Sequence, residues 1–351
     1  MHSAWNLDDN AIIAIMQRTV TLKEVARLAG VSTITASRAI NGGEAGLAVS
    51  PATRLRVEAA AAELGYRPHA NGRSLRDRRS GHIGALVINN PAQPLTNPAA
   101  YEYLLGINAG LAGTGLMLSL IRIDDVQRPD APAIRALSER LLDGFIAVSR
   151  MPEAVTARLQ ELGEPLVWLD GNHRPPRGSV HRDEAAAGRE AAGLLLRAGR
   201  RRVLWLQRPP ALRQHYSLLD REAGARAACR AARVAFTAFD GAPGSGIADP
   251  QALRRELAAP GTGLLLADPG QVRWAAAFLA ECGLVPGRDV GVAACDCDGQ
   301  TAGTWPGLSR VEHDRHAMGA LAAGMVADLV RGGRAAGSQV AAAVVVPGAT
   351  A

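Results

Sequence analysis

Residues 20–41 read VTLKEVARLAGVSTITASRAIN, two short amphipathic segments around a tight Ala29-Gly30-Val31 turn, and residues 66–76 follow as YRPHANGRSLR. Thr21 and Glu24 form a T-x-x-E capping box, which lets the first segment satisfy its own free amide groups and start a helix at Leu22. Leu22, Val25, Ala26 and Ala29 recur at helical spacing and give that helix one apolar face, while Ala26 and Gly30 are small enough for a second helix to cross closely. Ser32 is placed to cap the second helix. Its apolar side is Ala36 and Ile40, which leaves Thr33, Ile34, Ser37, Arg38 and Asn41 facing outward.

That outward face suits the major groove of a nucleic-acid duplex. Arg38 can offer its fork to a guanine edge, Thr33 and Ile34 can touch a thymine methyl, and Ser37 and Thr21 can hold phosphates. A helical hairpin inside a larger core would not need the capping box, the A-G-V-S turn and an outward arginine together. Charge placement agrees. Residues 16–80 carry eleven basic and five acidic side chains, so this stretch alone accounts for the net charge of +6 of the 351-residue chain. A polyanionic partner follows for the first eighty residues.

With V-S-x-x-T-x-S-R present as Val31, Ser32, Thr35, Ser37 and Arg38, and a Y-x-P start at Tyr66, the chain resembles the LacI/GalR family of bacterial transcriptional regulators. The resemblance implies three parts: a helix-turn-helix head of three helices at 16–66, a hinge helix and linker at 67–80, and a two-lobed effector-binding and dimerisation module at 81–351. It implies that Thr21, Leu22, Ser32, Thr33, Ile34, Ser37, Arg38 and Asn41 of the head meet DNA, with Asn71, Gly72 and Leu75 of the hinge. In the family the hinge orders on the operator and paired leucines wedge into the minor groove; Leu75 is the matching residue. Here His69 stands where asparagine is common and Gly72 where alanine is common, so a weak hinge helix is expected.

Beyond Gly81 apolar runs alternate with helix-like stretches, from HIGALVI through GFIAV and PLVWL to RVLWL, GLLLA and VGVAA. This is the pattern of α/β folding with doubly wound parallel sheets, here in two similar halves. In the resemblance the halves fold like periplasmic binding proteins, with crossings expected near 180–183 and 304–311. Further expected helices include 132–142, 221–232 and 272–282, and VAAAVVV closes the chain as a late crossing segment. No heptad repeat follows residue 331, so a homodimer on a palindromic operator is expected.

For the cleft, the resemblance places Arg221 of R-E-A-G on ligand hydroxyls or carboxylates, and Asp170 and Asp268 end parallel strands where ligand groups gather. Asn89 is a further candidate. The bland alternative is that Arg221 belongs to a helix start and the aspartates cap the next helices. A sugar or sugar derivative is the expected effector, although Ala267 before Asp268 and Pro269-Gly270 after it depart from the family pattern. Trp168, Trp274 and Trp305 could stack on a sugar ring, Trp168 being better suited to the core, and His215 and Tyr216 suggest a pocket rim.

No cofactor or metal is implied. An enzyme would have to recruit Cys295, His313 and Asp296, yet the chain offers no nucleophile elbow, P-loop or metal-ligand spacing. Cysteines 229, 282, 295 and 297 read as reduced thiols, mostly buried. An exported sugar-binding protein would not carry the basic head. The start MHSAWNLDDNAIIAIMQR has acidic residues ahead of a short apolar stretch, which argues against a secretion signal and for a cytoplasmic, nucleoid-associated protein. Within the regulator reading, repressor is favoured; action as an activator, or control by a partner protein, stays open.

Overall fold

The computed structural model describes residues 20–41, 49–67, 79–88, 98–123, 139, 141–208, 213, 215–240 and 249–351. The chain divides into two compact units, Met1–Ser80 and Gly81–Ala351. The hinge candidates Asn71, Gly72 and Leu75, and the cleft candidate Asn89, lie outside the described residues.

The first unit holds α1 (Leu22–Leu28), α2 (Thr33–Asn41) and α3 (Pro51–Leu64) around a small core of Val25, Ala26, Ala29, Ala36, Ala39, Val57 and Ala60. Thr21 caps α1 with both halves of the capping box in place. Ser50 caps α3, Pro51 opens it, and Gly65 ends it in the left-handed conformation. Two details differ from the sequence reading. Ala39 is buried beside Ala36 while Ile40 is only half-buried, because the third helix covers the α2 face between them. Gly30 serves by its φ of +64° and not by close approach, since a Cβ there would meet nothing within 4 Å.

In the second unit the first lobe is a parallel sheet of β1 (His82–Ile88), β2 (Met117–Ile123), β3 (Gly144–Val148), β4 (Leu166–Leu169), β5 (Ser179–Arg182) and β11 (Gln339–Ala341), in the order β11-β5-β4-β3-β1-β2. The second lobe repeats it with β6 (Arg202–Gln207), β7 (Ala235–Asp240), β8 (Thr262–Leu266), β9 (Gly291–Ala294), β10 (Ser309–Glu312) and β12 (Val344–Val346), ordered β12-β10-β9-β8-β6-β7. Each strand of one lobe therefore has a counterpart in the other; only β12 runs antiparallel to its neighbour. The interior strands are continuous apolar runs because helices cover both faces.

On the first sheet α4 (Pro98–Leu111) and α11 (Arg315–Val330) cover one face, where Tyr103, Ile107, Met318 and Val326 pack on Ile83, Ile146 and Val167. Helix α5 (Glu153–Leu162) covers the other, against Phe145 and Trp168. On the second sheet α6 (Glu184–Arg197) and α7 (Tyr216–Ala231) cover one face and α8 (Pro250–Leu257) and α9 (Pro269–Cys282) the other. A short α10 (Gly299–Thr304) precedes β10.

Three passes join the lobes. The first lies at Asp183, between β5 and α6, and the second at His313-Asp314, between β10 and α11. The second is thus later than 304–311, most of which belongs to the second lobe: Leu308 and Val311 are fully buried in its cores and Ser309 opens β10. The third is Ala342-Ala343, because VAAAVVV is split into β11 on the first sheet and β12 on the second. Asp183 N–H donates to the Ala341 carbonyl at 3.2 Å, setting the first and third passes side by side. Helix 221–232 starts earlier, at Tyr216, and helix 272–282 at Pro269. Of the expected helix at 132–142, most lies outside the described residues, and Leu141 and Leu142 are not helical.

Candidate DNA-reading helix and interlobe site

Helix α2 begins at Ser32, whose Oγ accepts from Thr35 N–H at 3.1 Å. Ser32, Thr33 and Ile34 are exposed, Ile34 at 64 %. Arg38 lies one turn on from Ile34 and is half-buried, as are Ser37 and Asn41. Asn41 donates from Nδ2 to the Ser37 carbonyl at 3.1 Å, so its amide is oriented by its own helix. Thr21 is exposed but its N–H and hydroxyl both donate to Glu24, at 2.8 and 2.9 Å, and Leu22 is half-buried against the head core. Together these place a short exposed row of Ser32, Thr33 and Ile34 on a capped helix, with the half-buried Arg38 one turn on.

In the second unit the candidates separate into two groups. Asp170 and Arg221 enter one buried network, built from the end of β4, the end of β5, the start of α6, the second turn of α7, the residues after β9 and the start of α11. Arg182 is its hub. Its Nε donates to Asp170 Oδ1 at 3.0 Å, its Nη1 to Asp296 Oδ2 at 3.0 Å, and its Nη2 lies 2.9 Å from both Asp170 Oδ2 and Glu184 Oε1. Arg221 holds Glu184 with Nε and Nη2, each at 2.6 Å, and reaches Asp296 Oδ2 at 2.9 Å and the Ala267 carbonyl at 2.6 Å. Arg315 donates to Asp296 Oδ1 and to the Cys297 carbonyl. Asp170 also accepts from the hydroxyls of Tyr103 at 2.8 Å and Tyr216 at 2.7 Å.

All six charged side chains are 6 % exposed or less. Burial alone would push the Asp170 carboxyl up, yet the Arg182 charge, then His215 and the bonds from Arg182 and Tyr216, hold it below the usual carboxylate range. Asp296 is held low in the same way, against burial, by Arg315, Arg221 and Arg182. The three guanidiniums stay charged because Asp170, Glu184 and Asp296 outweigh their desolvation. Burial pushes the Tyr216 hydroxyl well up, so it donates as a neutral phenol.

Around this core the lobes touch again. His215 caps α7, accepting from Ser217 N–H through Nδ1 at 3.3 Å and bonding the Asp170 carbonyl through Nε2 at 2.8 Å; it is the helix start and not a loose rim. Tyr216 N–H donates to Asn172 at 2.9 Å, and the Arg174 guanidinium sits 4.4 Å over the Tyr216 ring. On the opposite side Gly299 N–H donates to Glu102 at 3.0 Å. His313, on the second pass, is 5 % exposed, and neither ring nitrogen has a hydrogen-bond partner among the described residues. Burial pushes it down to about 4, so it is neutral.

Asp268 stands apart. It caps α9 through Gly270 and Gln271 N–H and receives both arms of Arg208 at 2.5 Å, which already spends its acceptor capacity. Trp168 is core, and Trp274 and Trp305 pack against the second lobe's core. A cavity of about 450 Å³ lies between α9 and Trp305, and one of about 610 Å³ at the ends of β3 and β4 by Ser149, Arg150, Glu153, Asn172 and His173. Cys229, Cys295 and Cys297 are buried and Cys282 half-buried. Burial pushes the Cys295 thiol well up, leaving the group of Cys295, His313 and Asp296 without a nucleophile's chemistry. No helix among the described residues is long and apolar enough to cross a membrane.

The sequence reading missed Arg182, Glu184, Asp296 and Arg315 as members of the site. For Arg182, Glu184 and Arg315 the signal was available only weakly, as charges flanking the helix-capping aspartates in R-D-E and H-D-R, and for Asp296 only as a carboxylate after an apolar strand.

Comparison with known proteins finds matches to parts of both units. Residues 21–69 match the family described as bacterial regulatory proteins, lacI family, and residues 192–351 match a periplasmic binding protein-like domain. The sucrose operon repressor of Klebsiella pneumoniae is 36 % identical over 157 residues, a match that spans 44 % of this chain and 44 % of that protein's length. The ribose operon repressor of Bacillus subtilis is 29 % identical over 319 residues, 89 % of this chain and 92 % of that one. The lac repressor dimer bound to operator and the anti-inducer ONPF superposes with a TM-score of 0.76 at 24 % identity, over 95 % of this chain and 99 % of that one, which establishes the shared fold. The head at 21–69 thus belongs to the lacI family of bacterial regulatory proteins, and residues 192–351 form a periplasmic binding protein-like domain.

Proposed function

We propose that the protein is a sequence-specific DNA-binding transcriptional regulator, a cytoplasmic repressor of carbohydrate-metabolism genes that reads a palindromic operator as a homodimer. It does no chemistry on its ligand. The head at 16–66 does the reading, the segment 67–80 acts as hinge, and the module at 81–351 sets operator affinity in response to a small sugar-like effector held between its lobes. The observation that carries the reading is the capped α2 with Ser32, Thr33 and Ile34 exposed and the half-buried Arg38 one turn beyond them. In the major groove Arg38 takes the base-reading role, Thr33 and Ile34 fit the thymine methyl, and Thr21, Ser32, Ser37, Leu22 and Asn41 flank the backbone. Asn71, Gly72 and Leu75 fall to the minor groove at the operator centre. Relatives named for sucrose and ribose operons support the carbohydrate assignment, and the lac repressor dimer on its operator supports the two-fold assembly. For the effector, Asp170 and Arg221 remain the proposed contacts, with Asn89 a further candidate and Asp268 available only on release of Arg208.

The test is selection of full-length protein on a randomised duplex library, followed by titration of the enriched sequence at increasing ionic strength. A palindromic consensus is expected, with log affinity falling linearly and steeply in log salt as several phosphate contacts require. Failure to enrich any duplex would overturn the reading.

A further inference from the structure

The buried network between the lobes balances only while Arg182 is part of it. Arg182, Arg221 and Arg315 face Asp170, Glu184 and Asp296, three charges of each sign, all but sealed from solvent. Arg221 and Arg315 are committed: each is locked to Asp296, and to Glu184 or the Cys297 carbonyl. Arg182 differs, because it alone bonds all three carboxylates, one of which belongs to the first lobe and two to the second. It does so from the last residue of β5, beside the first pass between lobes.

We infer that the junction between the lobes is a site for one singly charged cation, filled in this conformation by the protein's own Arg182 guanidinium, and that a small ligand entering it in exchange carries an ammonium or guanidinium group. The inference deepens, and rests on, the effector-controlled reading above by naming the ligand's charge. With the Arg182 head withdrawn, three carboxylates confront two guanidiniums, and a buried net negative charge is costly unless a cation restores balance. A neutral sugar would satisfy hydrogen bonds but leave that charge; an anion would add to it. Glu102, at the rim 3.5 Å from Arg315, biases the site further the same way. The ring nitrogens of His313 and Nε of Arg315, without a partner among the described residues, provide spare polar atoms beside the site for the rest of such a ligand. An amino sugar combines the charge with the sugar-like frame.

Removal of the guanidinium and its replacement from solution tests this. Full-length Arg182→Gly is heated with methylguanidinium, which copies the lost head group, or with methylurea, its neutral look-alike. A rise in Tm with methylguanidinium and a preference of about tenfold or more over methylurea in Kd are expected. The charge-balanced double variant Arg182→Gly with Glu184→Gln is expected to lose that preference. Should Arg182→Gly not accumulate as folded protein, Arg182→Ala, which restores the strand's backbone preference and still vacates the space, carries the same comparison. Equal response to both compounds, or none, overturns the inference. Operator titration of the unaltered protein is read separately, so loss of the regulator reading and loss of the cation site are told apart.

Discussion

Arg221 and Glu184 meet as a two-armed pair, both nitrogen-to-oxygen distances 2.6 Å, with neither side chain more than 2 % exposed. Removing one partner strands the other in a medium that cannot solvate it. Glu184→Ala is therefore expected to lower stability by about 3–5 kcal/mol, while Glu184→Gln with Arg221→Met should recover much of the loss. Urea unfolding of the single and double variants measures the difference; a Glu184→Ala loss under about 1 kcal/mol would mean the pair is solvated in solution.

Acid should loosen the second unit in a defined window. The His313 ring, facing Glu184, Asp296, Arg182 and Arg221, is pushed down to about 4 by burial, with Arg182 and Arg221 adding to the shift and Glu184 and Asp296 opposing it. Below the ordinary histidine value of about 6.5 the unfolded chain takes up a proton that the folded one refuses, so stability declines as pH falls from there to about 4. Protonation of Asp170 and Asp296, both held low, extends the loss to stronger acid. His313→Gln should flatten the upper part of this profile by about 2–3 kcal/mol, read as Tm against pH.

Two helix glycines should respond oppositely to alanine. A Cβ on Gly188 in α6 would run into the Arg221 carbonyl of α7, while Gly324 in α11 has nothing within 4 Å. Gly188→Ala should cost about 1–3 kcal/mol or more through helix separation, and Gly324→Ala should gain up to about 1 kcal/mol from helix propensity. Thermal unfolding of both decides it; equal effects would refute the close crossing.

Arg38→Ala should reduce discrimination between the selected operator and random duplex by about 1–3 kcal/mol, with a smaller change on random duplex. Competition binding at fixed salt reads this directly. An equal loss on both would move Arg38 from base reading to phosphate contact. In the hinge, Gly72→Ala should tighten operator binding, because alanine favours the helix that glycine resists.

Local signals carried most of the legible structure. Thr21 with Glu24, Ser50-Pro51 and Gly65 are read from neighbours three or four residues away, and the parallel strands announce themselves as apolar runs. The cap at α7 was missed because histidine is an uncommon capping residue, and the tail because two strands of three residues share one apolar run. The site was half legible. Arg221 and Asp170 stood out by motif and strand end, whereas Arg182 meets Asp296 across 114 positions, a pairing that only the fold creates. Asp268 looked equivalent to Asp170, but its bond to Arg208 spans 60 positions and could not be foreseen.

The split of the last strands has a mechanical meaning. Since the backbone traverses the gap at Asp183, at His313-Asp314 and at Ala342-Ala343, the halves are tethered like a door on three hinges. Sliding would stretch at least one tether, so the motion left to them is a swing about that row. Whatever molecule governs the protein, its message must be written as an angle.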